Sequence, residues 1–238
     1  MEPTDVEQPS AERIRERHDR LLASLRDAAE ANGHDPDRLR IIGVTKTHPV
    51  EVARAALEAG IARLGESRVQ EAEPKIASLP EAEWHFIGRL QSNKARRAVR
   101  GFSFIHSIDS LDLLDRVLGH AADEEAHPRL LLQVNVSGER SKAGLRPEDL
   151  LAARLPAEVI GLMTMAPMGA PAAEARAVFG RLRDLRNRVE QASGIGLPEL
   201  SMGMSADAEA AAAEGATLVR IGTALFGPRD ETLYSLRR

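Results

Sequence analysis

Short apolar runs and helical stretches alternate along almost the whole chain, and that alternation limits the possible folds more than any other feature. The candidate strands are LRIIGVTK (39–46), ARLGES (62–67), EWHFIG (83–88), FSFIHSID (102–109), RLLLQVNVS (129–137), EVIGLMTM (158–165), ELSMGMS (199–205) and TLVRIGT (217–223). Helical patterns fall at 49–60, 67–78, 91–100, 110–122, 147–154, 171–193 and 206–214. A strand that is always followed by a helix makes a parallel sheet with crossover helices, and eight such units suit a closed (β/α)8 barrel better than an open sheet. Periodicity alone does not separate the two. A leading helix is predicted over 10–32, with Ser10 as its N-cap and Gly33 as its stop. One α/β barrel domain is therefore expected over 10–230, with flexible tails at 1–9 and 231–238.

Composition narrows the function. Charged residues are 29% of the chain and the net charge is -4, with both signs interspersed, so the basic stripe of a nucleic-acid binder is missing. No apolar run reaches membrane-spanning length, and the acidic, proline-containing start resembles neither a secretory signal nor a transit peptide. The chain has no cysteine, which removes thiolate chemistry and fits a reducing compartment. A cytoplasmic protein is the expectation.

Lysine occurs only at positions 46, 75, 94 and 142, so each amine can be weighed singly. In IIGVTKTHP an apolar run delivers Lys46 to the strand end, where barrel enzymes keep reactive groups. Desolvation there favours the neutral amine, which can attack an aldehyde. A lysine that merely reaches solvent is the structural alternative. The last two strands add a second signal: SMGMS (201–205) and RIGTALFG (220–227) put glycines and hydroxyls where strand turns into helix. Backbone N–H groups at such junctions hold phosphate, and Gly203, Ser205, Gly222 and Thr223 are the candidates. Arg220 lies in an apolar strand and needs an acceptor: a carboxylate such as Glu66, the phosphate, or a ring nitrogen. His85, His106 and Asn135 also lie near strand ends, without the spacing of a metal site.

With these residues assembled, the chain resembles the pyridoxal phosphate homeostasis proteins, also described as alanine racemase N-terminal-domain-like proteins. The likeness runs over about 10–230 through VTKTHP, GESRVQE, EWHFIGRLQSNK, VNVSGERSKAG, GLMTMAP, LSMGMSAD and VRIGTALFG in order. It implies a fold-type III pyridoxal 5'-phosphate (PLP) protein with the cofactor held as a Schiff base on Lys46 and its phosphate on Ser205, Gly222 and Thr223. It further implies that Arg220 faces the pyridine nitrogen, and that Ser201, Gly203, Met204 and His85 complete the cofactor-binding set. Two departures stand out: Ser67 and Arg68 replace the usual Asn and a frequent aromatic, and His48 stands where a second lysine is common.

The role implied is buffering PLP or delivering it to apoenzymes; a monomer without turnover is the expectation, because the second domain through which racemases pair and the second base of two-base racemisation are not seen. Alanine racemases add a second domain and a catalytic tyrosine, whereas the only tyrosine here, Tyr234, lies in the C-terminal tail. The competing readings are a slow racemase or transaminase-like enzyme with Lys46 as sole base, and a phosphosugar-binding barrel with an aldolase-like lysine.

Overall fold

A computed structural model describes residues 9–138 and 143–228. The tails expected at either end fall almost wholly outside these residues, as do Lys142 and Tyr234. Eight strands pair in parallel and close into a barrel in sequence order: β1 (Arg40–Val44), β2 (Arg63–Glu66), β3 (Glu83–Phe86), β4 (Phe104–Ile108), β5 (Arg129–Gln133), β6 (Val159–Met163), β7 (Glu199–Met204) and β8 (Leu218–Ile221). Closure is made by β8 on β1, with Ile42 beside Arg220 and Gly43 beside Ile221. This pairing decides for the barrel over the open sheet that periodicity left possible.

Helices follow the strands: α2 (Val50–Glu58), α3 (Val69–Ser78), α4 (Ala95–Gly101), α5 (Leu111–Asp123), α6 (Pro147–Ala152), α7 (Ala172–Ser193), α8 (Ala208–Ala212) and α9 (Thr223–Phe226). Each predicted strand is found, shortened at its ends, because the apolar run continues into loops that the hydrogen-bond ladder has already left. The four-residue α9 is too short to show a helical period of its own, and the sequence marks it only as the strand-to-helix junction in RIGTALFG.

The leading helix α1 (Ala11–Glu30) begins at Ser10, whose hydroxyl accepts from the backbone N–H of Arg13. It buries Ile14, Leu25 and Ala29, and full burial of a side chain such as Leu25 contributes about 2 kcal/mol. Its polar side reaches the end of the barrel cycle. Arg17 donates to the carbonyl of Leu225 in α9 at 2.9 Å, and Ser24 donates to Glu209 in α8 at 2.8 Å. The leading helix thus braces the two short helices that follow β7 and β8.

Period-two alternation sorts strand side chains between two cores. One packs between strands and helices. A smaller one, Ile42, Phe104, Leu131, Met163 and Leu218, fills the lumen. Below that layer the N-terminal end of the barrel is closed by charge pairs. Arg40 meets Glu199 at 2.5 Å, Arg63 meets Glu83 at 3.0 Å, and the Arg129 guanidinium lies 5.2 Å from the Phe104 ring centroid.

Candidate functional site

Lys46 does not lie on β1, as the run 39–46 predicts, but two residues beyond it. The backbone N–H of Thr45 still bonds to the carbonyl of Gly65, and then that of His48 turns back to the Thr45 carbonyl at 3.1 Å. Lys46 and Thr47 are the middle of this turn. Thr47 has φ 68°, the left-handed value that a type II turn demands at its third residue and that a β-branched side chain resists. The turn is fixed from below by another lysine. Lys75 of α3, buried, donates to the Thr45 carbonyl at 2.8 Å and to Glu66 Oε1 at 2.6 Å. Thr45 donates to the same oxygen at 2.7 Å. Glu66 is fully buried, and burial pushes its carboxyl up against the pull of Lys75 and Thr45. Of the four lysines, Lys75 therefore has a structural occupation, and Lys46 stands half-buried at the mouth.

The glycine-rich loops lie on the two strands preceding β1 around the barrel. Gly203 has φ +89°, and a Cβ there would come within 2.6 Å of Ala211, so only glycine lets β7 pass this close to α8. The backbone N–H of Met204 donates to Asp207 Oδ1 at 2.6 Å, and Asp207, not Ser205, is the N-cap residue of α8. That leaves Ser205 exposed beside exposed Met204. Across the pair, Met204 lies next to Arg220 in register. Gly222 caps α9, and Thr223 opens it with an exposed side chain. The first N–H groups of a helix have no partner within it and point outward. The α9 helix also packs against the lysine strand: Phe226 lies over Gly43, where a Cβ would approach it to 3.1 Å, and meets the His48 ring edge-on.

Arg220 is buried, and burial pulls its guanidinium down to about 10 while Asp207 opposes the shift. It remains a cation at neutral pH. Its acceptors are the Ser201 hydroxyl at 2.5 Å and the Thr164 carbonyl at 3.0 Å. Glu66, which the sequence left open as its partner, is taken by Lys75 and Thr45. Two of the five guanidinium N–H groups are thereby committed. Ser201 and His85, both fully buried, belong to a hydrogen-bonded series that ends on Arg220. It runs from Glu83 to His85 Nε2 at 3.2 Å, from His85 Nδ1 to His106 Nε2 at 2.9 Å, and from His106 Nδ1 to Ser201 Oγ at 2.8 Å. Burial lowers both histidines, His106 well below its ordinary range, so both are neutral.

Asn135 sits apart from this group, its side-chain oxygen accepting from Ser137 and from the backbone N–H of Gly138. Ser67 and Arg68 line a separate cavity with Arg89, Gln91 and Lys94, and Arg68 pairs with Glu71 at 2.8 Å. Glu83, Thr164, Asp207 and Thr47 were not singled out from sequence. For Glu83 a signal existed: in EWHF it stands two residues before His85 and so shares its face of the strand.

No helix among the described residues is long and apolar enough to cross a membrane. The family model for the alanine racemase N-terminal domain matches residues 23–230. The chain is 40% identical to the pyridoxal phosphate homeostasis protein of Aquifex aeolicus over 222 residues, 90% of this chain and 97% of that one. Identity to the protein of the same name from Pseudomonas aeruginosa is 44% over 219 residues, 89% and 94% of the two chains. Among solved structures, PipY of Synechococcus elongatus PCC7942, determined with PLP bound, superposes with a TM-score of 0.78 at 43% identity, covering 90% of this chain and all of that one. The Aquifex and Pseudomonas relatives are named for homeostasis of the cofactor and not for a reaction. The chain belongs to the pyridoxal phosphate homeostasis protein family, built on the barrel of the alanine racemase N-terminal domain.

Proposed function

We propose that this protein holds pyridoxal 5'-phosphate covalently on Lys46 and serves to buffer it or deliver it to apoenzymes. The observation that carries this reading is the closure of the barrel. It sets the Lys46 turn and the two glycine-rich loops on three consecutive strands, β7, β8 and β1, although 157 positions separate Lys46 from Gly203 in sequence. The residues fit the group. Ser205, Gly222 and Thr223 offer hydroxyls and helix-start N–H groups to a phosphate, and Gly203 and Met204, whose N–H is held by Asp207, shape the loop beside them. Arg220 offers a fixed donor to a ring nitrogen, with Ser201 and His85 behind it. When bound, the cofactor supplies an aldehyde for the Lys46 amine, and with it the electron-withdrawing ring on which amino acid chemistry depends.

The chain's own groups argue for holding rather than turnover. A guanidinium donates a hydrogen bond without yielding its proton at ordinary pH, which leaves a ring nitrogen unprotonated and a poorer electron sink. Lys46 is the base at hand, whereas racemisation by general acid–base catalysis needs a second group on the opposite face.

The test is to mix purified protein with PLP, record the visible spectrum, reduce with borohydride and map the modified peptide. A yellow adduct on Lys46 that is absent from Lys46→Ala is expected; labelling at Lys75, Lys94 or Lys142 overturns the assignment. Incubation with L-amino acids in deuterium oxide addresses turnover. Rapid Lys46-dependent deuterium uptake at Cα would sink the holding role in favour of a racemase or transaminase-like enzyme with Lys46 as its base.

A further inference from the structure

The lumen holds a polar series that cofactor tethering by itself does not require. Glu83, His85, His106, Ser201 and Arg220 come from β3, β4, β7 and β8, and the step from His106 to Ser201 crosses the barrel, since β4 and β7 are not neighbours. His85, His106, Ser201 and Arg220 are buried, with His85 stacked on Phe104 at 4.3 Å between ring centroids, while the Glu83 end lies among the charge pairs that close the barrel, 3.0 Å from Arg63.

The chemistry of its ends fixes every proton between them. At one end the guanidinium can only donate; at the other, the Glu83 carboxylate can only accept. The His85 hydrogen bond, with Arg63 assisting, holds Glu83 below its ordinary range, so it is ionised. A neutral imidazole has one donor and one acceptor nitrogen. Four contacts then have one complete solution: Arg220 donates to Ser201, Ser201 to His106 Nδ1, His106 Nε2–H to His85 Nδ1, and His85 Nε2–H to Glu83. A second proton on His85 would face the His106 hydrogen. A second proton on His106 would turn the Ser201 hydrogen away from its acceptor. An apolar filling would occupy the same space without desolvating four polar side chains.

We propose that Glu83, His85, His106 and Ser201 are positioning residues, a one-directional hydrogen-bond chain that locks the Arg220 guanidinium in the orientation it presents to the cofactor ring. The part of this inference that concerns the ring rests on the PLP reading above. The proton order does not.

Two measurements separate them. Nitrogen-15 NMR of histidine-labelled full-length protein, without and with PLP, reads the tautomers. Both His85 and His106 are expected as Nε2–H and neutral around pH 7, and an Nδ1–H form of either overturns the chain. The dissociation constant for PLP and the position of its visible band read the positioning. Ser201→Ala and His106→Leu are expected to weaken PLP retention about tenfold, the worth of one well-placed hydrogen bond, and to shift the band. His106→Gln can still accept from Ser201 and donate to His85 across a similar span, and is expected to stay within about threefold of wild type. Wild-type affinity and spectrum in folded Ser201→Ala overturn the positioning role. Should His106→Leu fail to fold, Ser201→Ala and His106→Gln carry the test. A wild-type protein that retains no PLP overturns the cofactor reading and the ring role with it, and is told apart from failure of the chain by the tautomers.

Discussion

Two buried polar groups support the two ends of the site, and they are built in opposite ways. Under the Lys46 turn lies an ion pair, with Lys75 and Thr45 both on Glu66 Oε1 while Glu66 Oε2 has no partner among the described residues. Under Arg220 lies a series whose middle members, Ser201, His106 and His85, are neutral and which ends on the ionised Glu83, each donor along it finding an acceptor. The pair ties a helix to a strand end and fixes where a backbone turn sits. The series fixes where protons sit. A partly satisfied ion pair depends on both charges being present, whereas a satisfied neutral network depends on the order of donors and acceptors. Substitutions should therefore fail differently in the two places.

The largest effect is expected at Lys75. Lys75→Met leaves a fully buried carboxylate without its cation and should lower stability by about 3 kcal/mol in urea denaturation. Adding Glu66→Gln should recover most of that loss, since the uncompensated charge and not the missing contact is the cost. A double variant as unstable as the single one would mean that the tie to the Thr45 carbonyl matters more than the charge.

Next comes His106. His106→Leu strands Ser201 and His85 and should cost about 2 kcal/mol. His106→Gln should restore most of it, because an amide also accepts at one atom and donates at the other. Equal losses in both variants would show that imidazole packing, and not donor order, is what the lumen requires.

Much of this was legible in the sequence, and the limits have physical causes. The β/α alternation predicted a parallel sheet of eight units and favoured the barrel without deciding it, and the glycines beside Arg220 and Ser205 marked the loops, because strand ends and tight turns leave local signals. The partner of Arg220 was not legible. Ser201 is 19 positions away and His106 lies across the barrel, and nothing local records which inward-facing side chains meet in a closed lumen. Lys75 was equally hidden: in VQEAEPKIAS it reads as a surface lysine of an amphipathic helix, and only the packing of α3 on β2 takes its amine inside.

The pH response distinguishes the two supports by sign. Burial lowers His85 and His106, so in acid the unfolded chain takes up protons that the folded one refuses. Their contribution is complete above the unfolded value near 6.5 and is lost as pH falls toward the folded values. Each neutral histidine accounts for about 1.4 kcal/mol per pH unit within that window. Glu66, raised by burial, acts oppositely: above its ordinary 4.5 the unfolded chain releases a proton that the folded chain retains, so its contribution falls as pH rises. Urea midpoints of wild type and His106→Gln at a series of pH values would isolate one histidine. Parallel curves below pH 6.5 would mean that His106 is not held neutral.

The smallest effect concerns the turn above the ion pair, where Thr47 carries a left-handed φ of 68°. Such a backbone costs a residue with a Cβ roughly 1–2 kcal/mol, while glycine at the same place adds about 0.5–1 kcal/mol of unfolded-chain entropy. Thr47→Gly should therefore raise stability by about 0.5–1 kcal/mol, less whatever its hydroxyl gains from the Lys46 carbonyl it meets at 2.5 Å. If the Lys75 support alone sets the turn, PLP retention should be unchanged by the substitution. If the stiffness of Thr47 also aims the Lys46 amine, the more stable variant should hold PLP a few-fold less tightly. The lysine end of the site would then need a strained turn above its ion pair, whereas the arginine end is aligned by hydrogen bonds alone.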